Sequence, residues 1–405
     1  MVESGDQQLR QNTSSVLMVT RELQGDRRYG LGRSLAPVVD ALTKRGWKVR
    51  YLCQEDLPPT SMDRRRSWLG RLNRLPGIQG VPARQLLASS MYERVQMGWF
   101  GAKTARDKHF AVVHLHDPWL ALGFWCGVKI LRLSHIRWGI TEHGFGCYSR
   151  ATHDDGLVQG PRVQRLLRRM EAAVLRAAHW VVAPTQMALE ATARDLALPS
   201  VPTHWHAIPH CLTPSIDQRS PPLARNLLGW SATSIHILGV GRLVPLKRFD
   251  ILVEACAIIS QRHPSSNVQL HILGEGDQQG LQQLADRLGF GDQLHFSVVD
   301  DVQPYYAAAD IYASTSTTES FGLANYEAMH AGLPCVCTSV GGVPEVMGIG
   351  AWLVPVDLDA VVRALDELIT APATRQSLAA RATLQVVNTP TTDTIAARYA
   401  QLFQS

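Results

Sequence analysis

No stretch of the 405-residue sequence approaches the ~18 uninterrupted apolar residues that a membrane-crossing helix needs, so no transmembrane anchor is expected. The opening MVESGDQQLRQNTSS lacks the basic-then-apolar order of a secretory signal, which sets the expectation of a cytoplasmic protein, with peripheral contact to the inner face of a membrane left open. The seven cysteines are odd in number and scattered, and no two form CxxC. That pattern excludes a disulfide scaffold and argues against a zinc site; it fits reduced, mostly buried thiols, with Cys335 and Cys337 on one face of a strand. The charge excess is small, +5 at pH 7. It suits a protein that handles phosphates or touches an anionic surface, and it is too weak to argue for nucleic acid. Short-period repeats and low-complexity tracts are also missing.

What the sequence has instead is alternation. The run VLMVT, Val16 to Thr20, is short, apolar and rich in β-branched residues, as a buried strand is. Leu35 to Lys44 has apolar residues at helical spacing and stops before Gly46, a helix C-terminal signal. Lys48 to Cys53 reads as a second strand. With the glycine-containing loop Arg28 to Arg33 between them, these make a βαβ unit and imply a parallel sheet. The arginine-rich segment Pro58 to Gly80 interrupts the series. Val112 to Leu115, Ile136 to Thr141 and Trp180 to Pro184 resume it, with a basic amphipathic helix, Arg162 to Ala178, before the last.

The stretch TPSIDQRSPP, Thr213 to Pro222, has the composition of an interdomain linker. Beyond it, Ile235 to Gly241, Val268 to Gly274, Leu294 to Val299, Ile311 to Thr315, Cys335 to Ser339 and Ala351 to Val354 are strand candidates separated by helical stretches. The expected fold is α/β: two doubly wound Rossmann-like domains, 1–215 and 216–389, facing across a cleft. Ligands of open α/β sheets bind beyond the carboxyl ends of the strands.

The informative residues of the second half follow strands. In GRLVPLKRFD, Gly241 allows a sharp turn, and Arg242 and Lys247 supply two fixed positive charges. A diphosphate leaving group needs such charges, because its own negative charge grows as the glycosidic bond breaks. An isolated surface cation would mean nothing; two beside a strand end favour function. In ILGEGD, Gly274, Glu275 and Gly276 permit close backbone approach to a ligand, a weak signal alone. In ESFGLANYE, a helix opening over Phe321 to Leu323 and running to about Gly332 offers free N–H groups to an anion. Glu319 just before it can accept hydrogen bonds from sugar hydroxyls, and Glu327 can hold a ribose diol. The bland alternatives are a helix cap for Glu319 and an exposed helical carboxylate for Glu327. AGLPCVCTSVGGVPE, Ala331 to Glu345, adds a helix end, a strand and a glycine turn.

Gly241, Arg242, Lys247, the GEG at Gly274, Glu319, Phe321, Gly322, Glu327, AGLP and GGVPE, in that order between about Ile235 and Val354, resemble the retaining glycosyltransferases of family 4, the large GT-B group. The resemblance implies donor binding by the C-terminal domain, through Gly241, Gly274, Glu275, Phe321, Gly322, Leu323 and Glu327. It implies retention by a front-face route and no cofactor or metal, Arg242, Lys247 and the helix N-terminus standing in for one. It also implies a last helix within 390–405 that returns to the N-terminal domain. The N-terminal half resembles the family less closely. TEHG follows a strand where the family carries a histidine, making His143 the candidate contact to the donor sugar. His116 and Asp117 in HLHDPW are its rivals, and Asp117 is the one side chain that could be put forward as a covalent nucleophile. Gly32 in the first loop is expected to bring backbone N–H groups toward donor or acceptor. Two departures stand out: IPHCLTPSID, Ile208 to Asp217, where the family has an Asn-Gly-Val-Asp-like turn, and Arg248 where glycine is common.

The expected reaction is transfer of a sugar from a UDP- or GDP-linked donor to a glycan or lipid-linked hydroxyl acceptor, in polysaccharide, glycolipid or envelope glycan synthesis. The arginine-rich segment Arg64 to Arg74 and the basic helix Arg162 to Arg176 are either solvated faces or contacts to an anionic membrane. A nucleotide-sugar 2-epimerase and a non-catalytic glycan-binding protein of the same fold are the alternatives.

Overall fold

The computed structural model describes residues 15–24, 30–75, 78, 80–154, 160–211 and 219–405. The polar tail, the start of the first glycine-containing loop and 213–218 of the expected linker lie outside them. The chain divides into two compact units, Met1–Leu212 with Pro390–Ser405, and Thr213–Thr389.

In the first unit six parallel strands run β1 (Ser15–Val19), β2 (Lys48–Leu52), β3 (Val112–Leu115), β4 (Arg137–Thr141), β5 (Trp180–Ala183) and β6 (Trp205–Ala207). Their order in the sheet is β2-β1-β3-β4-β5-β6, so the chain reverses direction across the sheet between β1 and β3. Both faces of β1 are buried, as a parallel sheet covered by helices requires. Leu17 and Val19 enter one core with Met97, Phe124 and Val174. Val16 and Met18 enter another with Leu42, Trp180, Tyr399 and Phe403. That second core contains the C-terminal helix Thr392–Gln404, capped by Thr391. The Arg137 guanidinium also donates to the Phe403 carbonyl at 3.3 Å.

In the second unit the strands are β7 (Ile235–Val240), β8 (Val268–Leu273), β9 (Leu294–Ser297), β10 (Ile311–Ser314), β11 (Cys335–Thr338) and β12 (Ala351–Val354). They are again all parallel, in the order β12-β11-β10-β7-β8-β9. Here the direction reverses between β7 and β10. Cys335 and Cys337 are both buried in β11. Two parallel six-stranded sheets with helices between strands are the doubly wound α/β class expected from the sequence.

Three segments differ from expectation, the first being β6, Trp205–Ala207, an edge strand that the sequence did not announce. The first helix begins at Gly30 and runs to Lys44, so residues 30–33 form its opening turn rather than a loop. The arginine-rich interruption is a helix, Pro59–Leu72, followed by the long helix Pro82–Asp107.

Candidate active site

In the second unit, the loops after β7, β8, β10 and β11 are bound to one another. Gly241 donates its N–H to the Leu273 carbonyl at 2.9 Å, and Leu243 donates to the Glu275 carbonyl at 2.7 Å. A Cβ on Gly274 would lie 2.0 Å from the Gly241 carbonyl oxygen, so these two turns touch only because glycine is there. The short helical turn Pro245–Lys247 follows. Thr315 Oγ1 donates to the carbonyls of Lys247 and Arg248 at 3.1 and 2.8 Å, tying this turn to the end of β10.

This lacing aims the charges. The Lys247 ammonium pairs with Glu319 Oε1, and Ser316 Oγ donates to the same oxygen at 2.9 Å. The Gly342 N–H donates to the Glu319 main-chain carbonyl at 2.9 Å, so the GGVPE turn holds the ESFG segment. Arg242 is exposed, and no ion pair among the described residues engages it. Glu319 is not a helix cap. The helix starts at Leu323 with Gly322 as its N-cap, and no side chain caps it.

Glu327 is not an exposed helical carboxylate; it is 5% exposed and accepts from the Tyr306 hydroxyl at 3.0 Å. Phe321 is buried edge-on against Tyr326, so its ring belongs to the core, and Glu275 is exposed with its carbonyl bound to Leu243. Asn325, which sequence reasoning passed over, is buried; its Oδ1 accepts from Tyr312 at 2.8 Å and its Nδ2 has no partner among the described residues. Its position one helical turn from the glycine N-cap was the only available signal.

The first unit carries a different chemistry at its strand ends. His116 follows β3, His143 follows β4 and His210 follows β6. Nδ1 of His116 lies 3.2 Å from Nε2 of His143. The His143 ring stacks on His116 at 5.4 Å and on His210 at 5.5 Å, nearly parallel to the latter. Burial, then the neighbouring histidines, hold His116 and His143 well below the usual imidazole range, and burial lowers His210 to about 4. All three are neutral at pH 7.

Of the two rivals to His143, His116 is buried and Asp117 is spent on structure. Asp117 caps the helix Pro118–Ile130, accepting from the N–H groups of Trp119 and Leu120 at 2.7 and 3.3 Å, and pairs with Arg94 at 3.0 Å. Gly32 differs from expectation as well. It lies in a helix, and its N–H donates to Glu22 Oε1 at 2.6 Å. The Tyr51 hydroxyl donates to the other oxygen of Glu22.

Beside His143, Glu142 is 2% exposed and its Oε1 has no partner among the described residues. Burial, then Glu171 and Asp117, push its pKa well up. Glu171 accepts from the N–H groups of Tyr148 and Ser149 at 2.7 and 2.8 Å, and burial raises it to about 7. Among the described residues no group of side chains is arranged to hold a metal ion, and no helix is long and apolar enough to cross a membrane.

Residues 29–209 match the family model described as glycosyl transferase 4-like domain, and residues 234–371 match that of glycosyl transferases group 1. A D-inositol 3-phosphate glycosyltransferase of Geodermatophilus obscurus is 31% identical over 66% of the chain. The chain spans 63% of that relative's own length. Among solved structures, sucrose-phosphate synthase from Thermosynechococcus elongatus superposes with a TM-score of 0.71 at 21% identity, covering 96% of this chain and 98% of that one. The Anabaena protein HepE, solved with UDP-glucose, gives 0.69 at 18% identity, over 96% and 98%. At these identities the structures speak for the fold alone. With a glycosyltransferase family model matching each unit, the chain belongs to the family 4 glycosyltransferases.

Proposed function

We propose that the chain transfers a sugar from a nucleoside diphosphate to a hydroxyl with retention of configuration. The observation that carries this reading is the pairing of Lys247 with Glu319 at the reversal point between β7 and β10, beside exposed Arg242 and a helix N-terminus without a side-chain cap. Open α/β sheets bind ligands at that point. Arg242 and Lys247 neutralise the diphosphate as it departs, in a fixed array that needs no reorganisation. The first turn of the helix Leu323–His330 receives a phosphate oxygen. Glu319 orients the sugar hydroxyls, buried Glu327 receives the ribose diol, and His143 meets the sugar near its reacting carbon. The departing phosphate serves as the base for the incoming hydroxyl, so no cofactor or metal is invoked.

The acceptor is a glycan or a lipid-linked hydroxyl. The helix Pro161–Ala177 exposes Val163 and Leu166 among Arg162, Arg165 and Arg169, a surface suited to an anionic bilayer. The test is calorimetric titration with UDP and with GDP, on wild type and on the Arg242→Ala, Lys247→Ala double variant. Charge-assisted contacts contribute roughly 1.5–3 kcal/mol each, so the double variant should bind at least about 100-fold more weakly. Failure of folded wild-type protein to bind either nucleotide would sink the reading.

A further inference from the structure

The three-histidine stack of the first unit fixes more than a location; hydrogen-bond accounting also fixes a proton. Trp180 can only donate, and its Nε1–H reaches His114 Nδ1 at 3.0 Å. His114 therefore carries its proton on Nε2, which donates to Thr141 Oγ1 at 2.7 Å. Both nitrogens of His114 are thus used, and it meets His116 only ring edge to face, 4.8 Å apart. His116 is 3% exposed, and its Nε2 is buried without a partner among the described residues. A neutral imidazole carries one N–H. On Nε2 that proton would be an orphaned buried donor, which folded proteins almost never leave. On Nδ1 it donates to His143 Nε2 at 3.2 Å. The proton of His143 then sits on Nδ1.

We propose that His116 is a positioning residue: its Nδ1–H fixes His143 as the Nδ1–H tautomer, so that His143 offers the donor sugar a neutral hydrogen-bond donor, while His210 holds the ring plane by stacking. This rests on the assignment of His143 to the donor sugar made above. The tautomer of a histidine is set by the partner of its other nitrogen. A ring stacked on both sides keeps its orientation without help from the ligand, which is the condition for a preorganised contact. His210 supplies one of those rings from the IPHC turn, where the family's usual asparagine offers none.

Two measurements test this. The first is a long-range ¹⁵N–¹H correlation spectrum of the full, ligand-free chain at pH 7, with His143 assigned by loss of its signals in His143→Gln. The expected pattern has His143 Nδ1 protonated and Nε2 bare. The opposite tautomer, or an imidazolium, would overturn the proposal. The second is hydrolysis of UDP-glucose by His116→Asn, His116→Gln and His116→Phe. An Asn amide lies near the place of Nδ1, a Gln amide near that of Nε2, and Phe keeps the stack alone. His116→Asn should stay within about 3-fold of wild-type kcat, and the other two should fall about 10-fold with little change in KM, the worth of one hydrogen bond. Equal losses in all three would reduce His116 to a packing residue and overturn the assignment. If wild type hydrolyses no UDP-glucose while the spectrum shows the Nδ1–H form, the transferase reading is what suffers and the tautomer stands.

Discussion

Replacing Gly341 by alanine tests whether the GGVPE turn and the segment bearing Glu319 are one mechanical unit. Gly341 has φ +55°, and a Cβ there would sit 1.8 Å from the Glu319 carbonyl oxygen and 2.9 Å from its carbon. Gly289 is the control: φ is +69° and nothing lies within 4 Å of its Cβ position. Alanine in the left-handed region costs about 1–2 kcal/mol at either site. Only Gly341→Ala adds overlap. An ordinary C···O contact is about 3.3 Å, so the Glu319 carbonyl must retreat by about 1.5 Å. That retreat breaks the 2.9 Å bond from the Gly342 N–H and forces local repacking, together about 2–4 kcal/mol beyond the control. For a unit of this size the excess lowers Tm by about 5–15 °C. Because the same displacement carries Glu319 away from Lys247, UDP affinity should fall as well. Calorimetric melting and UDP titration of the two variants give the answer. If Gly341→Ala is no less stable than Gly289→Ala and binds UDP like wild type, the two turns are not interlocked and the described site geometry is wrong.

Acid should destabilise the chain well before its ordinary carboxylates are protonated. His114, His210 and His271 are lowered by burial to about 3, 4 and 2, and His116, His143 and His236 are lowered too, burial being the first cause in each. The unfolded chain takes up protons below about pH 6.5 that the folded chain refuses, so each histidine removes about 1 kcal/mol per pH unit as pH falls from 6.5 toward its folded value. Glu142 and Glu171 run the other way: their raised pKa values mean that stability is regained as pH falls toward 4.5. The histidines outnumber them, so urea midpoints should drop between pH 7.5 and pH 5; a flat profile would contradict the burial of these rings. Glu142→Gln mimics the protonated side chain and should change stability at pH 7 by less than about 1 kcal/mol, whereas Glu171→Gln gives up an acceptor shared by two buried N–H groups and should cost about 1–3 kcal/mol. Equal losses in urea titrations of the two variants would show Glu142 to be ionised.

All the strands but one were legible because parallel strands buried on two faces read as short β-branched runs, as in Val16 to Thr20 and Ile235 to Gly241; the exception, β6, is three residues at the sheet edge with two of them only half-buried, too short to show a pattern. The helix Pro82–Asp107 was not legible. Its tightest contact is made by glycines, which add no apolar periodicity: a Cβ on Gly98 would lie 1.8 Å from the Leu120 carbonyl, and one on Gly123 would lie 2.1 Å from that of Val95. The placing of Arg242, Lys247 and Glu319 beyond strand ends was legible because they follow strand-like runs in the sequence. The roles of Phe321, Asp117 and Gly32 could not be found that way. Each is decided by a partner distant in sequence or by side-chain direction, which spacing does not encode. The same holds for Asn325 and for the three-histidine stack, whose members come from three separate strand ends.

The two departures from family habit fall on the site, and each is compensated where it occurs. Arg248 takes φ 47° where glycine would be unstrained. Its guanidinium grips Asp250 with three contacts of 2.9–3.0 Å. That pair is well exposed and contributes little, about 0–1 kcal/mol. The stronger restraint is Thr315, whose hydroxyl donates to the carbonyls of Lys247 and Arg248, one on each side of the Arg248 Cα. The strained turn therefore keeps Lys247 directed at Glu319. The IPHC turn loses the family's asparagine and gains His210, whose ring lies 8° from parallel to that of His143. A chain drifting toward a non-catalytic role would lose restraint at such places first, because strain is maintained only where surrounding contacts over-determine it. Here the substitutions arrive with their counterweights, and the charges they border remain paired and aimed. That pattern favours a working transferase over a binding protein that has merely kept the fold.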